Sequence, residues 1–392
     1  MVKSVYSLQS TKGNSVMIRH RLLMLILAFA ALFPISCFSS NTVTIQGAGA
    51  TFPAPLYKRW FLEYYLAHPG TRVNYQAIGS GAGVSQLQEG LTDFAATDEA
   101  LKKEKIDDVS KVLSEREHRQ VDLIQVPLTA GAVAVCYNVP GDPDLKLPRK
   151  VYVGMALGEI KFWDDEAIQK ANPDAKLPHQ VITFVRRAES SGTTFVFTNH
   201  LNAIDDRWKL DKDRKPESPL LKTPDGPGAS KTPQWVVGIG GKGNSGVAAL
   251  ISQTPGAFGY LEAGYAELLG LKMAKLENHA GEFVEPSDEN CVVALEEAKF
   301  NDVFGATVPD PKAKSAYPIV TFTWVVARKH YDNHRLGEHL RSVLGSCLED
   351  EIGQGQSLSR KLGYVKLPSE TLERARKAIE QINGSQEQDP PK

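Results

Sequence analysis

Arg187 opens the run Arg187-Ala188-Glu189-Ser190-Ser191-Gly192-Thr193, which sets a guanidinium beside a small-residue turn and a helix-like stretch. Two other runs share the turn-then-helix design: Gly47-Ala48-Gly49-Ala50-Thr51-Phe52-Pro53 and Gly79-Ser80-Gly81-Ala82-Gly83-Val84. Such a turn leaves backbone N–H groups free at a helix N-terminus, where the helix dipole is positive. That is the chemistry of anion binding. One copy is no more than a helix cap. Three copies, one with the paired donors of an arginine, point to a single small oxyanion. Arg186, next to Arg187, reads as a surface residue.

Ser80, Ser191, Thr193 and Thr51 add hydroxyls to these turns. Each serves equally well as an N-cap, and the same N–H array supports both uses. Asp98 is the odd member, because a carboxylate repels an anion. It makes sense if the ligand carries a proton, since a carboxylate only accepts and therefore rewards an O–H. Phosphate keeps such a proton near neutral pH and sulfate does not. A buried carboxylate facing sulfate would cost several kcal/mol, an order of magnitude taken from other unpaired buried charges. Read alone, Asp98 is an N-cap for the segment that follows it.

Catalytic readings find less support. Ser191 lacks the GxSxG order of a nucleophile turn. Asp98 could be a phosphatase nucleophile, but no metal-ligand cluster accompanies it. The stretch 238–245 approaches the GxxxxGK[ST] order, yet Asn244 stands where the lysine belongs, so it reads as a turn. No CxxC or Cys/His cluster occurs, so neither a structural zinc nor another cofactor is expected.

The elements that position these groups alternate along the chain. Residues 42–46 read as a strand running into the first turn, and 53–66 as a helix with Leu56, Trp60, Phe61 and Tyr64 at helical spacing. Residues 72–78 and 93–97 read as strands ending at the second turn and at Asp98. Residues 101–119 are charged and read as a solvated helix or loop, and 121–139 as an apolar, strand-rich run. Residues 159–171 read as a helix, 180–186 as the strand into the third turn, and 194–201 as its helix. Residues 209–232 are a surface excursion rich in Lys, Asp and Pro. Residues 319–327 read as a late strand and 367–382 as an amphipathic helix. Ligand groups just past strand ends are the mark of an α/β fold.

Arg19-His20-Arg21 followed by the apolar run 22–33 reads as a secretory signal peptide over 1–40, with Met17 as a candidate start. Pro34-Ile35-Ser36-Cys37 partly resembles a lipoprotein cleavage box, with Pro34 where that pattern has Leu, which leaves lipidation of Cys37 open. A chain of 392 residues suits two lobes or two domains, and a formal net charge of −1 gives no footprint for nucleic-acid binding. Cys136 lies in an apolar strand and reads as a buried thiol. Cys291 and Cys347 are candidates to pair in an oxidising compartment, a geometry that sequence does not fix.

At these residues the chain resembles the Pst-type periplasmic phosphate-binding proteins of bacterial high-affinity phosphate ABC transporters. The resemblance is carried by GAGATFPAP (47–55), VNYQAIG (73–79), 93–98, KFWDDEAI (161–168), VRRAESSGTTFVF (185–197), GIGGKGNSG (238–246) and PGAFGY (255–260). It runs from about 42 to about 382, with gaps at 101–119 and 209–232. It implies a ligand set of Thr51, Phe52 through its backbone N–H, Ser80, Asp98, Arg187, Ser191, Gly192 and Thr193. The family has Asp-Gly after the Arg-Ala pair, where this chain has Glu189-Ser190. The Arg-orienting place therefore falls to Glu189, one methylene longer.

The resemblance further implies two α/β lobes of the type II periplasmic binding protein kind, joined by crossing strands at 129–137 and 317–326. The first lobe takes 42–128 and 319–382, the second 129–318, and 383–392 is a disordered tail. The resemblance also implies inorganic phosphate as the ligand, bound by a monomer in the interlobe cleft, and an ABC permease of two membrane and two ATPase subunits as the partner. A secreted phosphoester hydrolase and a receptor for another oxyanion are the alternatives.

Overall fold

The structure, a computed structural model, describes residues 42–209, 227–351 and 354–384. The expected leader with Cys37, residues 210–226 of the excursion and residues 385–392 of the tail lie outside the described residues.

Strands and helices alternate from the start: β1 (Val43–Gly49), α1 (Ala54–Ala67), β2 (Thr71–Ala77), α2 (Ser80–Gln88), β3 (Phe94–Thr97) and α3 (Lys103–Glu117). The long strand β4 (Leu123–Asn138) leads to β5 (Lys146–Leu147), α4 (Arg149–Leu157), α5 (Glu166–Ala171), β6 (Thr183–Arg187) and α6 (Gly192–Ile204). Then come β7 (Ile239–Gly241), α7 (Gly243–Gln253), β8 (Ala257–Glu262) and α8 (Ala263–Leu269). Short pieces β9 (Lys272–Met273), β10 (Lys275–Glu277), β11 (Phe283–Val284) and α9 (Asp288–Leu295) precede the second long strand, β12 (Val320–Arg328). The chain ends through β13 (His330–Tyr331), α10 (His334–Cys347), α11 (Gly355–Lys361), α12 (Ser369–Ile379) and β14 (Asn383–Gly384).

One sheet runs through the molecule in the order β2-β1-β3-β12-β4-β8-β6-β7, with β9 also on β4. Strands β1, β2 and β3 are mutually parallel, as are β6, β7 and β8. The antiparallel strands β12 and β4 join the two sets. The register places them end to end. β12 covers β4 from Leu123 to Ala132, whereas β8 covers it from Val133 to Asn138. β3 ends at Thr97, paired with Trp324, which in turn faces Pro127. β8 runs the opposite way and ends at Glu262, facing Val133. The C-terminal ends of both strand sets therefore point at each other along β4, separated by roughly 20 Å of strand at about 3.3 Å per residue.

Burial follows the sequence pattern. β4 is buried from Leu123 to Tyr137, as a strand covered on both faces must be. α1 buries Leu56, Trp60, Phe61 and Tyr64. The charged stretch expected as helix or loop is helix α3, which buries only Ile106, Val109 and Leu113 and leaves most of its charges in water. No helix among the described residues is long and apolar enough to cross a membrane.

Several expectations change. The first strand continues to Gly49, so the first glycine turn begins inside the sheet. The helix expected from 159 starts only at Glu166. Asp165 caps it by accepting from Ala167 N at 2.9 Å, while Phe162 bridges to Val181 and Trp163 Nε1 donates to Gly256 O at 3.0 Å. The expected tail begins as structure, because Asn383 and Gly384 pair with His330 and Tyr331. Cys291 and Cys347 do not pair: both, like Cys136, are free and buried.

Candidate functional site

The sheet geometry dictates where chemistry collects. Past the ends of β1, β2 and β3 come Thr51 and Phe52, Ser80, and Asp98. At or past the ends of β6 and β7 come Arg187, Ser191 to Thr193, and Asn244. The two groups meet. Gly192 N donates to Ser80 Oγ at 3.1 Å, and Asp98 N approaches the same oxygen at 3.4 Å. A Cβ on Gly192 would lie 2.6 Å from Ser80 Oγ and 2.8 Å from Asp98 N, so only glycine permits the approach. Gly83 does the same for α2, where a Cβ would sit 2.3 Å from Gly49 Cα.

Charge is set by Arg187 and Asp98, both 2 % exposed. Arg187 Nη1 donates to Thr193 Oγ1 at 3.3 Å, and that hydroxyl donates to Asp98 Oδ2 at 3.2 Å. Thr323 on β12 donates to Asp98 Oδ1 at 2.9 Å. Burial pushes the Asp98 carboxyl up to about 6, against the lowering pull of the Thr323 hydroxyl, Arg187, Thr193 and Lys231. At neutral pH Asp98 is thus a charged acceptor with lone pairs to spare.

Glu189 holds the arginine. Its Oε1 accepts from Arg187 Nε at 2.9 Å and from Nη2, and it accepts Gly243 N at 3.1 Å. The longer side chain reaches both the guanidinium and the start of α7. Ser191 spends its hydroxyl as the N-cap of α6, accepting from Thr194 N at 3.1 Å. Phe52 is fully buried, and its carbonyl accepts from the Tyr364 hydroxyl at 2.7 Å. Helices α1 and α2 carry no side-chain cap among the described residues; Ala54 N donates to Thr51 O at 3.3 Å and Gly81 N to Ser190 O at 3.4 Å.

The site is thus ringed by donors — helix starts, hydroxyls and a guanidinium — with one carboxylate acceptor not committed to an ion pair. That set fits a small oxyanion bearing one O–H. Among the described residues no group of three His, Cys, Asp or Glu side chains could hold a metal ion.

Comparisons with known proteins give the family. A family model described as a PBP superfamily domain matches residues 38–344. Phosphate-binding protein PstS of Pasteurella multocida is 33% identical over 88% of this chain and 92% of its own length. Its namesake from Methanocaldococcus jannaschii is 32% identical over 95% of this chain and 98% of its own. The chain belongs to the PstS family of phosphate-binding proteins. Among solved structures, a phosphate-binding protein from Stenotrophomonas maltophilia aligns at a TM-score of 0.67 with 20% identity, covering 86% of this chain and 93% of that one. That likeness establishes the fold, the two-lobed α/β binding-protein type.

In this PstS-family chain every residue expected at the ligand site, Glu189 included, lies in the one cluster. Three further residues belong to it that sequence reasoning passed over. Asn244, fully buried, donates from Nδ2 to Thr51 Oγ1 at 2.9 Å. Tyr265, presented by Glu262 as it caps α8 through Gly264 N at 2.7 Å and Tyr265 N at 3.2 Å, donates to Thr51 O at 2.7 Å. Lys231 carries its ammonium 2.6 Å from Glu99, and its carbonyl accepts Ser191 N at 3.2 Å. Burial lowers that ammonium to about 8, with Asp98 pulling the other way. The near-miss to a phosphate loop at 238–245 was the signal for Asn244; the other two had none.

Proposed function

We propose that the chain is an extracytoplasmic receptor that captures inorganic phosphate between its lobes and hands it to an ABC permease. The observation that carries this reading is a single acceptor, Asp98, set against Arg187, the hydroxyls and the helix starts. Phosphate near neutral pH offers oxyanions to the donors and an O–H to Asp98. Sulfate leaves Asp98 facing a bare oxygen. The PstS names of its relatives support the same ligand.

The ligand residues are Thr51, Phe52 through its backbone, Ser80, Asp98, Arg187, Ser191, Gly192 and Thr193, with Glu189 orienting Arg187. One lobe comprises 42–128 and 319–382, the other 129–318, and β4 and β12 form the hinge between them. Neither lobe completes the donor set alone, so binding closes the cleft. The receptor is an exported monomer that serves two membrane subunits and two ATPase subunits. The reading is binding without turnover, with the Ser191 hydroxyl accepting as the cap of α6.

Isothermal titration of the exported form with phosphate and with sulfate tests this. One phosphate per chain, undisturbed by excess sulfate, is the expected result. Displacement by sulfate would contradict the role of Asp98, and sustained site-dependent hydrolysis of a phosphoester would overturn the receptor reading.

A further inference from the structure

Asn244 stands at the start of α7 with no exposed surface. Its amide orientation is forced, because Glu262 N donates to Oδ1 at 3.0 Å and so places Nδ2 at the other end. Nδ2 then donates to Thr51 Oγ1 at 2.9 Å, and Asn244 N donates to the same oxygen at 3.2 Å. A hydroxyl has two acceptor positions and one proton. Both acceptor positions of Thr51 are filled from Asn244. Its proton meets no acceptor among the described residues, although Thr51 is only 7% exposed.

We propose that Asn244 fixes the polarity of the Thr51 hydroxyl and makes it an obligate donor to the bound oxyanion. The inference rests on the phosphate reading and deepens it. Asp98 accepts and so selects the protonated oxygen of phosphate. Thr51, with its lone pairs taken, donates and so selects a bare oxygen. The ligand is then read at two points by groups of opposite polarity, which fixes its orientation as well as its protonation. Asn244 also lies 3.5 Å from Thr193 Oγ1, the hydroxyl between Arg187 and Asp98, so one amide touches both hydroxyls. It is a positioning residue: it acts on the ligand through Thr51.

A double-mutant cycle read by isothermal titration with inorganic phosphate tests this, with thermal unfolding in the absence of phosphate as a check on the fold. Thr51→Val is expected to weaken binding about thirtyfold and Asn244→Ala about tenfold, the range for one hydrogen bond to a charged group. The double variant is expected to bind no more weakly than Thr51→Val alone. Asn244→Asp keeps the acceptor for Glu262 N and the side-chain shape, so it preserves the fold if the alanine variant does not. Its carboxylate takes the Thr51 proton, and its loss is expected to shrink about tenfold in the Thr51→Val background. Losses that simply multiply in both cycles would overturn the inference while leaving the receptor reading intact. A parent chain that takes up no phosphate would instead overturn the receptor reading, and this inference with it.

Discussion

The Thr193 hydroxyl donates to Asp98 Oδ2 at 3.2 Å while accepting from Arg187 Nη1 at 3.3 Å. One hydroxyl thus couples the cation of one strand set to the carboxylate of the other. The two charged residues nonetheless differ in how they tolerate loss. Asp98→Asn keeps a neutral hydrogen-bonding group and is expected to weaken phosphate binding about tenfold. Arg187→Ala strands Glu189 without its partner and removes the guanidinium, a loss on the order of a thousandfold. Calorimetric titration of both variants decides the order, and the reverse ranking rejects these roles.

Selectivity depends on pH through Asp98. Its carboxyl is raised to about 6, chiefly by burial, so it is charged above that pH and neutral below it. Neutral Asp98 has an O–H to give, which is what a fully deprotonated oxyanion lacks. Sulfate is expected to compete poorly at pH 8 and measurably at pH 5, below the raised value of Asp98. Displacement of labelled phosphate at the two pH values reads this directly, and equal competition at both would refute it.

Gly192 marks one close approach of the two strand sets. A methyl there would have to displace Ser80 Oγ or the Asp98 backbone. Gly192→Ala is expected to cost about a hundredfold in phosphate affinity, the upper end of what overpacking costs. Scattering curves of the variant with saturating phosphate are expected to stay expanded. A compact, tight-binding variant would mean that the ends meet less closely than described.

Lys231 supplies a second positive charge at the cleft, paired with Glu99. Its ammonium is lowered to about 8, mainly by burial, so it is charged below that pH and neutral above it. Phosphate affinity is expected to fall severalfold as pH rises from about 7.5 to 9.5, with Asp98 already charged throughout. Lys231→Met removes that limb of the profile. If the variant keeps the fall, another group is responsible.

The candidate site was legible where local chain chemistry decides it. Glycine turns, the hydroxyls in them, Arg187 and Asp98 all follow strand ends, and strand ends are readable from apolar runs. Asn244 was visible only as a failed phosphate-loop lysine, because its partner Thr51 lies 193 residues away. Lys231 sits in a stretch whose composition reads as surface, yet its carbonyl is drawn in by Ser191 N. The start of α5 was misplaced for a related reason. Phe162 and Trp163 suit a helix by spacing, but Trp163 is held by Gly256 O, far along the chain. The end-to-end register along β4 has no local signal at all, since it depends on which half of a long strand each neighbour covers.

That register has a mechanical consequence. The first part of β4 is hydrogen-bonded to β12 and the last part to β8 and β9, so a single strand is the edge partner of both halves of the sheet. Neither half can lose its order without stripping backbone partners from the other. The molecule is therefore expected to melt as one cooperative body rather than as two, and a single heat-absorption peak in calorimetry, with or without phosphate, would check this. A chain excised at either end of β4 would carry a raw, unpaired edge and would aggregate instead of folding as an independent half.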